Sequence, residues 1–267
     1  MKMTKFLPMP LVNMIYSKFK PQIKIEKNGK FFYVNSLPYP MFWERLQNKR
    51  WEPNTFKIFD TFLDSSHSYI DIGAWIGPTV LYGCQIAKHC YAIEPDPLAF
   101  EQLKKNINLN SELKSSVSLS EQCISDSCGI TYLNPKQGSK GGNSESSLVF
   151  KKSVNSWKVQ TITLQQYILD HSIDDYNFIK MDIEGGEFII LPSLLDFLKQ
   201  KKPTLHLSLH SPLISEVKKK MKKIYEVVNI YDYMYDNNLR EIKKESILNE
   251  DDFNKFIEVV VTDKRLN

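Results

Sequence analysis

The segment SYIDIGAWIG (68–77) constrains the fold more than any other stretch of the chain. It begins as an apolar run of strand length and ends in a glycine turn that leads, through Gly77-Pro78, into a helix. A buried strand turning tightly into a helix is the opening unit of an open α/β sheet, whose ligand crevice lies at the carboxyl ends of the strands. The unit then recurs. YAIEPD (91–96) reads as a second strand, and Asp96-Pro97 opens a helix with Phe100, Leu103 and Ile107 at helical spacing. VSLSEQCI (117–124), FIKMDI (178–183) and TLHLSLH (204–210) read as further strands, with another near 159–162 and a short helix capped by Thr163. Helices are expected over 77–87, Pro192 to Leu198 and 212–226. Residues 125–150, including the loop 138–148, interrupt the rhythm with turn residues. NIYDYMYD (229–236) and FIEVVV (256–261) finish the chain without a long helix between them. The expectation is a mostly parallel sheet with helices on both faces and an antiparallel edge strand.

Residues 1–66 lack this alternation and are expected to form an N-terminal extension of short strands and helices: FFYV (31–34), a helix from Pro40 to Gln47, and another from Pro53 to Leu63. Residues 67–267 form the α/β domain. The first residues of the extension, MKMTKFLPMP, are too broken by proline for a signal peptide and read as an ordered arm or a surface contact. A chain of 267 residues that is 42% hydrophobic and 25% charged buries a core unaided, which excludes a disordered protein. No stretch has the length of apolar sequence that a membrane span needs, so the expected location is cytoplasmic or peripheral to the inner face of a membrane. Lys+Arg 35 against Asp+Glu 31 leaves +4, too little to indicate nucleic acid by itself. KKKMKK (218–223) is expected to be the solvated face of an amphipathic helix. Four cysteines without tight metal spacing read as reduced thiols.

The glycine turn is not a dinucleotide fingerprint. Gly73 and Gly77 fit its outer positions, but Ala74-Trp75 stands between them, and Trp75 obstructs the approach of a pyrophosphate. Asp71, just before the turn, repels an anion but suits a ligand with an ammonium and a sulfonium, such as S-adenosylmethionine. The carboxylate of that ligand is expected at backbone N–H groups of the helix start. Glu94, at the end of the second strand, is placed to take two ribose hydroxyls; the plainer reading is an acid at a helix start.

YIDIGAWIGPTVL (69–81), AIEPDPLAFEQLKKNINLN (92–110), TITLQQYI (161–168) and FIKMDIEGGE (178–187) together resemble the FkbM-like family of S-adenosylmethionine-dependent methyltransferases. The resemblance runs from about Trp51 to about Pro212. It implies a Rossmann-like class I methyltransferase sandwich. It also implies O-methylation of a hydroxyl, in the first place that of a sugar in a glycan, polysaccharide or glycolipid, with S-adenosyl-L-homocysteine as product. It puts Asp71, Gly73, Ala74, Trp75 and Gly77 at the methionine end of the cofactor, Glu94 on the ribose, and Gln122 and Cys123 by the adenine. The family often has an acid where this chain has Ser208.

Methyl transfer is an in-line displacement, and a sugar hydroxyl attacks well only once it loses its proton. His210 is the first choice for that base, because imidazole titrates near neutral pH. Asp182 follows, as base or as the group that orients the base or the acceptor hydroxyl, and it is also a candidate for binding the cofactor; Glu184 is next. Glu187 is read as a first-turn helix acid, and Lys180 either as an ion-pair partner of Asp182 or as a catalytic group. Glu52, Ser144 and His206 are candidates for binding the acceptor, against plainer roles as helix cap, loop residue and core histidine. Asp182, Glu184 and His210 also offer ligands to a divalent metal, but their spacing is not diagnostic, and no metal is favoured. The partner expected is a hydroxylated, carbohydrate-type acceptor, lipid-linked glycans at a membrane surface included. A nucleic-acid methyltransferase and a non-catalytic cofactor-binding partner protein are the alternatives.

Overall fold

The computed structural model describes residues 21–37, 39–48, 50–135, 141–142, 144, 146–149 and 152–266. The arm expected at the N-terminus, and Asn143 and Glu145 of the polar loop, lie outside the described residues.

Asn28-Gly29 closes a hairpin between β1 (Gln22–Lys27) and β2 (Lys30–Asn35). Both turn residues have positive φ, 45° and 78°, as a two-residue hairpin turn requires. α1 (Pro40–Gln47) and α2 (Pro53–Phe62) follow, each with proline in its first turn, where no N–H is missed.

The alternating region supplies β3 (Ser68–Ile72), α3 (Pro78–Gly83), β4 (Cys90–Ile93), α4 (Pro97–Asn108) and β5 (Val117–Ser120). Then come β6 (Cys123–Ile124), β7 (Gly129–Pro135), β8 (Ser146–Ser147), β9 (Trp157–Ile162), α5 (Leu164–Asp170), β10 (Tyr176–Met181), α6 (Glu187–Ser193) and α7 (Leu195–Lys201). β11 (Thr204–Leu209), α8 (Val217–Val228), β12 (Tyr233–Asp236) and β13 (Ile257–Thr262) complete the order.

Seven strands make the main sheet in the order β12-β13-β11-β10-β3-β4-β5. β5, β4, β3, β10 and β11 pair in parallel, and β13 runs antiparallel between β11 and the edge strand β12. This is the expected mostly parallel α/β sheet with an antiparallel pair at its edge. β3 and β10 sit at its centre, so their carboxyl ends, at Ile72 and Met181, open side by side.

β3 is buried on both faces, and its two-residue period divides it between the two cores. Ile70 and Ile72 join one core with α5, α6 and α8. Tyr69 joins the other, with Phe56 and Phe59 of α2 and Phe32 of the hairpin. The extension therefore packs directly on the sheet.

Some expectations need correcting. The stretch 117–124 is two strands, because the ladder breaks at Glu121-Gln122. There the Ser120 hydroxyl accepts from the Gln122 N–H at 3.3 Å, a local bond that competes with strand pairing. β6 then leaves the main sheet for a four-stranded one with β9, β7 and β8. That sheet contains β7, in the stretch expected to be irregular, and removes the 159–162 strand from the main sheet. α3 stops at Gly83, and α8 starts at Val217 because Ser211–Leu213 forms a separate 3-10 turn and Glu216 is left-handed. Cys84, Cys90 and Cys123 are buried, Cys128 is exposed, and all four are free. Among the described residues no helix is long and apolar enough to cross a membrane.

Candidate active site

A cavity of about 420 Å³ opens at the carboxyl ends of β3, β4 and β10. That volume is within the range of pockets that enclose small molecules. One wall is the turn after β3. Gly73 has φ +86°, and a Cβ there would lie 2.0 Å from the Asp182 carbonyl oxygen, so the absence of a side chain lets the two central turns touch. Gly73 and Ala74 donate their N–H groups to the Ile93 carbonyl at 3.0 and 3.1 Å. Trp75, itself left-handed, donates its N–H to Glu94 Oε2 at 2.8 Å. These donors are committed within the protein. The Trp75 indole is turned away over Phe42 and Tyr39, at ring distances of 4.5 and 5.3 Å, and its Nε1 donates to the Gly142 carbonyl.

Glu94 lines the cavity, and its two oxygens accept from Trp75 N–H and Asp96 N–H, both at 2.8 Å. Burial pushes its pKa up to about 8 against those two hydrogen bonds. Ala74, Trp75 and Cys123 line the cavity as expected, and Ile93, Ile124 and Leu133 make the wall near Cys123 apolar. Three other residues named for cofactor binding do not reach the wall. Asp71 has no exposed surface: Oδ2 accepts from the Thr79 hydroxyl at 2.6 Å and Oδ1 lies 3.4 Å from Lys180 Nζ. It is the fourth of the five residues of a strand buried along its length and is not among the residues that line the cavity. Gly77 packs against Leu103. Gln122 turns back on Ser120.

The opposite wall is the turn after β10. Asp182, Glu184 and His210 all line the cavity. His210 Nε2 lies 3.5 Å from Asp182 Oδ1 and 3.7 Å from Glu184 Oε1. On its other side Nδ1 is 3.0 Å from Glu187 Oε1. Glu187 is fully buried and also accepts from the N–H groups of Ile183 at 2.7 Å and Gly185 at 2.9 Å. It is more than a helix acid: it fixes both the turn and the imidazole. Left-handed φ at Glu184 and Gly185, 53° and 96°, folds the chain back so that Glu187 lies under the turn. Burial opposes charge on His210, but the hydrogen bond to Glu187 and the charges of Glu187, Asp182 and Glu184 outweigh it and raise the pKa to about 9. The expected titration near neutral pH is therefore displaced upward. Lys180 bridges the walls, with Nζ 3.4 Å from Asp71 and 3.6 Å from Asp182, and the charges of Asp71 and Asp182 raise its pKa despite burial.

Of the acceptor candidates, Glu52 lines the cavity and does not cap α2 with its side chain. Its carboxylate accepts from Thr55 at 3.2 Å, and burial, then the charge of Asp182, pushes its pKa up to about 8. Ser144 also lines the cavity. Nearby, Asp96 Oδ2 holds the loop by accepting from Gly142 N–H at 2.8 Å and from the Ser146 hydroxyl at 2.7 Å. His206 does not line it. It is 1% exposed and bonded to Glu258 at 2.8 Å, beside Phe59 and Phe178, because its strand position faces the α2 side.

Asp182, Glu187 and His210 bring potential metal ligands within 4.8 Å of one another. Glu187, not Glu184, completes that group. Its carboxylate is already bound by two backbone N–H groups and His210 Nδ1, so a metal must displace existing bonds, and the donor set is a poor fit.

Fold and cavity together define an α/β protein with an acid-lined pocket at the strand ends. The methyltransferase FkbM domain matches residues 71–240, more than half of the chain, and the chain belongs to that family. No curated protein matches it. Among solved structures it is similar to methyltransferase FkbM from Methylobacillus flagellatus KT, with TM-score 0.49 and 16% identity over 76% of this chain. The chain spans 47% of that protein's length. A tRNA m1G37 methyltransferase from M. jannaschii has TM-score 0.41 and 15% identity, over 92% of this chain and 58% of that one. A Pyrococcus abyssi tRNA (uracil-54, C5)-methyltransferase in complex with S-adenosyl-L-homocysteine has TM-score 0.41 and 12% identity, over 91% and 44%.

Proposed function

We propose that the protein is an S-adenosylmethionine-dependent O-methyltransferase acting on a hydroxyl of a carbohydrate. The observation that carries this reading is the facing of two walls across one cavity: Glu94 and the Gly73–Trp75 turn on one side, the Glu187–His210–Asp182 arrangement on the other.

The cavity suits this cofactor in three respects. Its wall carries Asp182 and Glu184, which favour a cationic ligand. It carries an acid at the ribose position, and an apolar section at Cys123 and Ile124 for a base. S-adenosylmethionine, when bound, supplies the methyl group as an electrophile. Glu94 keeps lone pairs for ribose hydroxyls while two N–H groups hold its carboxylate still. Ala74 and Trp75 shape the methionine end by packing. Asp71, Gly77 and Gln122 act from behind the wall.

His210 Nε2 takes the proton of the acceptor hydroxyl. Glu187 holds Nδ1 and stabilises the imidazolium that results, and Asp182 and Glu184 flank Nε2 and orient the hydroxyl. Because the ring holds a proton up to about pH 9 in the free protein, the competent, neutral form grows as pH rises. Glu52 and Ser144 contact the acceptor.

The test is incubation with methyl-labelled cofactor and a glycan panel, followed by mass spectrometry. Label on a sugar oxygen is the expected result. Label confined to nitrogen or to nucleic acid overturns the reading.

A further inference from the structure

The chain carries its positive charge almost wholly on lysine. Only Arg45, Arg50, Arg240 and Arg265 among its 35 basic residues are arginine. Arg240 is spent on a surface pair with Asp236. Arg45 and Arg50 both belong to the chain around the end of α1, and Arg45 lines the cavity. Its guanidinium is exposed and forms no ion pair or hydrogen bond among the described residues. Arginine is the side chain suited to gripping a planar oxyanion with two parallel hydrogen bonds, which lysine cannot do.

The surroundings give this cation a direction. Phe42 and Trp51 line the same wall with ring centroids 4.9 Å apart, a surface on which a sugar ring can lie. Inside the cavity the cations of Lys180 and His210 are already paired with Asp182 and Glu184, at 3.5 to 3.7 Å, whereas Arg45 has no carboxylate partner among the described residues. An acidic ligand that enters is thereby turned with its anion outward, to Arg45, and its hydroxyl inward, to His210.

We propose that the acceptor is an acidic carbohydrate, bearing a carboxylate or phosphate that Arg45 takes at the mouth of the cavity. This rests on the hydroxyl-methylation reading above. A carboxylate is also carried by the cofactor, but an exposed guanidinium at the mouth suits a large acceptor that stays partly in solvent better than an enclosed ligand.

The experiment uses the full chain, a panel of uronic-acid glycans and the same glycans with their carboxyls reduced to alcohols. Methyl transfer and S-adenosylhomocysteine affinity are measured for the native protein, R45A and R45K. The native protein should favour the acidic member of each pair by about tenfold or more, the scale of a charge-assisted pair. R45A should lose that preference, R45K should restore only part of it, and both should keep native S-adenosylhomocysteine affinity. Equal transfer to acidic and reduced glycans overturns this inference and leaves hydroxyl methylation standing. A drop in S-adenosylhomocysteine affinity with R45A, the preference unchanged, also overturns it and assigns Arg45 to the cofactor carboxylate. Transfer to no member of the panel, with S-adenosylhomocysteine bound, overturns both readings.

Discussion

The turns that follow β3 and β10 lie side by side at the centre of the sheet, yet they are built on opposite principles. In the first, the backbone donors are satisfied within the protein. Asp71 is held by Thr79 and Lys180, and the N–H groups of Gly73, Ala74 and Trp75 go to Ile93 and Glu94. In the second, Asp182, Glu184 and the Nε2 face of His210 border the cavity, and His210 Nε2 lies 3.5 Å from Asp182, beyond a short hydrogen bond. The first turn is a rigid mould and the second is a charged surface kept ready for a ligand. The contrast shows why strand-end position alone does not assign a role. A group at a strand end does chemistry only if the local network leaves it an unspent valence, and strained or under-satisfied groups gather where function needs them.

The comparison breaks most directly at His210. His210→Ala should lower turnover roughly 10²–10⁴-fold while S-adenosylhomocysteine affinity, read by calorimetry, stays near native. Glu187→Gln should lower turnover too and move its pH profile. Neutral imidazole is the competent form, so native turnover should climb with pH along a limb above the ordinary histidine value of 6.5 and at or below about 9. Removing the Glu187 charge should shift that limb toward lower pH. A limb that does not move shows that Glu187 does no more than hold the turn.

Asp71 tests the other turn. Asp71→Ala leaves the Lys180 ammonium buried with one fewer carboxylate and should cost roughly 3–5 kcal/mol in urea unfolding. Any loss of cofactor affinity should be small for the fraction that stays folded. A stable variant that no longer binds S-adenosylhomocysteine shows instead that Asp71 reaches the ligand.

These two residues also mark what the sequence could show. The alternation of strand and helix from residue 68 is visible because buried parallel strands are short apolar runs and their helices keep one apolar stripe. β7 was not visible: only its last three residues are buried, so GITYLNP has no alternation to read. β1 does leave a signal, since QIKIEK and KFFYVN flank Asn28-Gly29, a strong two-residue hairpin mark. The gathering of Asp182, Glu184 and His210 at one crevice follows from strand order. The Glu187–His210 bond does not, because it depends on the left-handed pair Glu184-Gly185 folding the chain back. The surroundings of Asp71 are not legible for a related reason: which neighbour pairs with a strand acid is decided across the sheet, here Lys180 on β10.

Glu94 joins the two principles, since it belongs to the rigid wall but faces the cavity. Above about pH 8, where Glu94 is charged, Glu94→Ala should weaken S-adenosylhomocysteine binding by roughly 1.5–3 kcal/mol, the scale of hydrogen bonds to a charged group. It should also free the Trp75 and Asp96 N–H groups, so Glu94→Gln, which keeps an acceptor oxygen, should lose less. Equal losses for the two variants point to disruption of the turn and not to lost ribose contacts.

The smallest expected effect separates the two glycines of the first turn. Gly73 meets backbone: a Cβ there would lie 2.0 Å from the Asp182 carbonyl oxygen and push the two turns apart. Gly77, with φ +91°, meets the tip of the Leu103 side chain at 2.6 Å, and that tip can move. Gly77→Ala should therefore cost mainly the left-handed backbone, roughly 1–2 kcal/mol of stability, and should leave turnover per folded molecule nearly native. Gly73→Ala should cost more stability and also lower turnover, because the displaced Asp182 flanks Nε2 of His210. Turnover that falls as far with Gly77→Ala as with Gly73→Ala would mean that the whole first turn, and not its contact with Asp182, aligns the reacting groups.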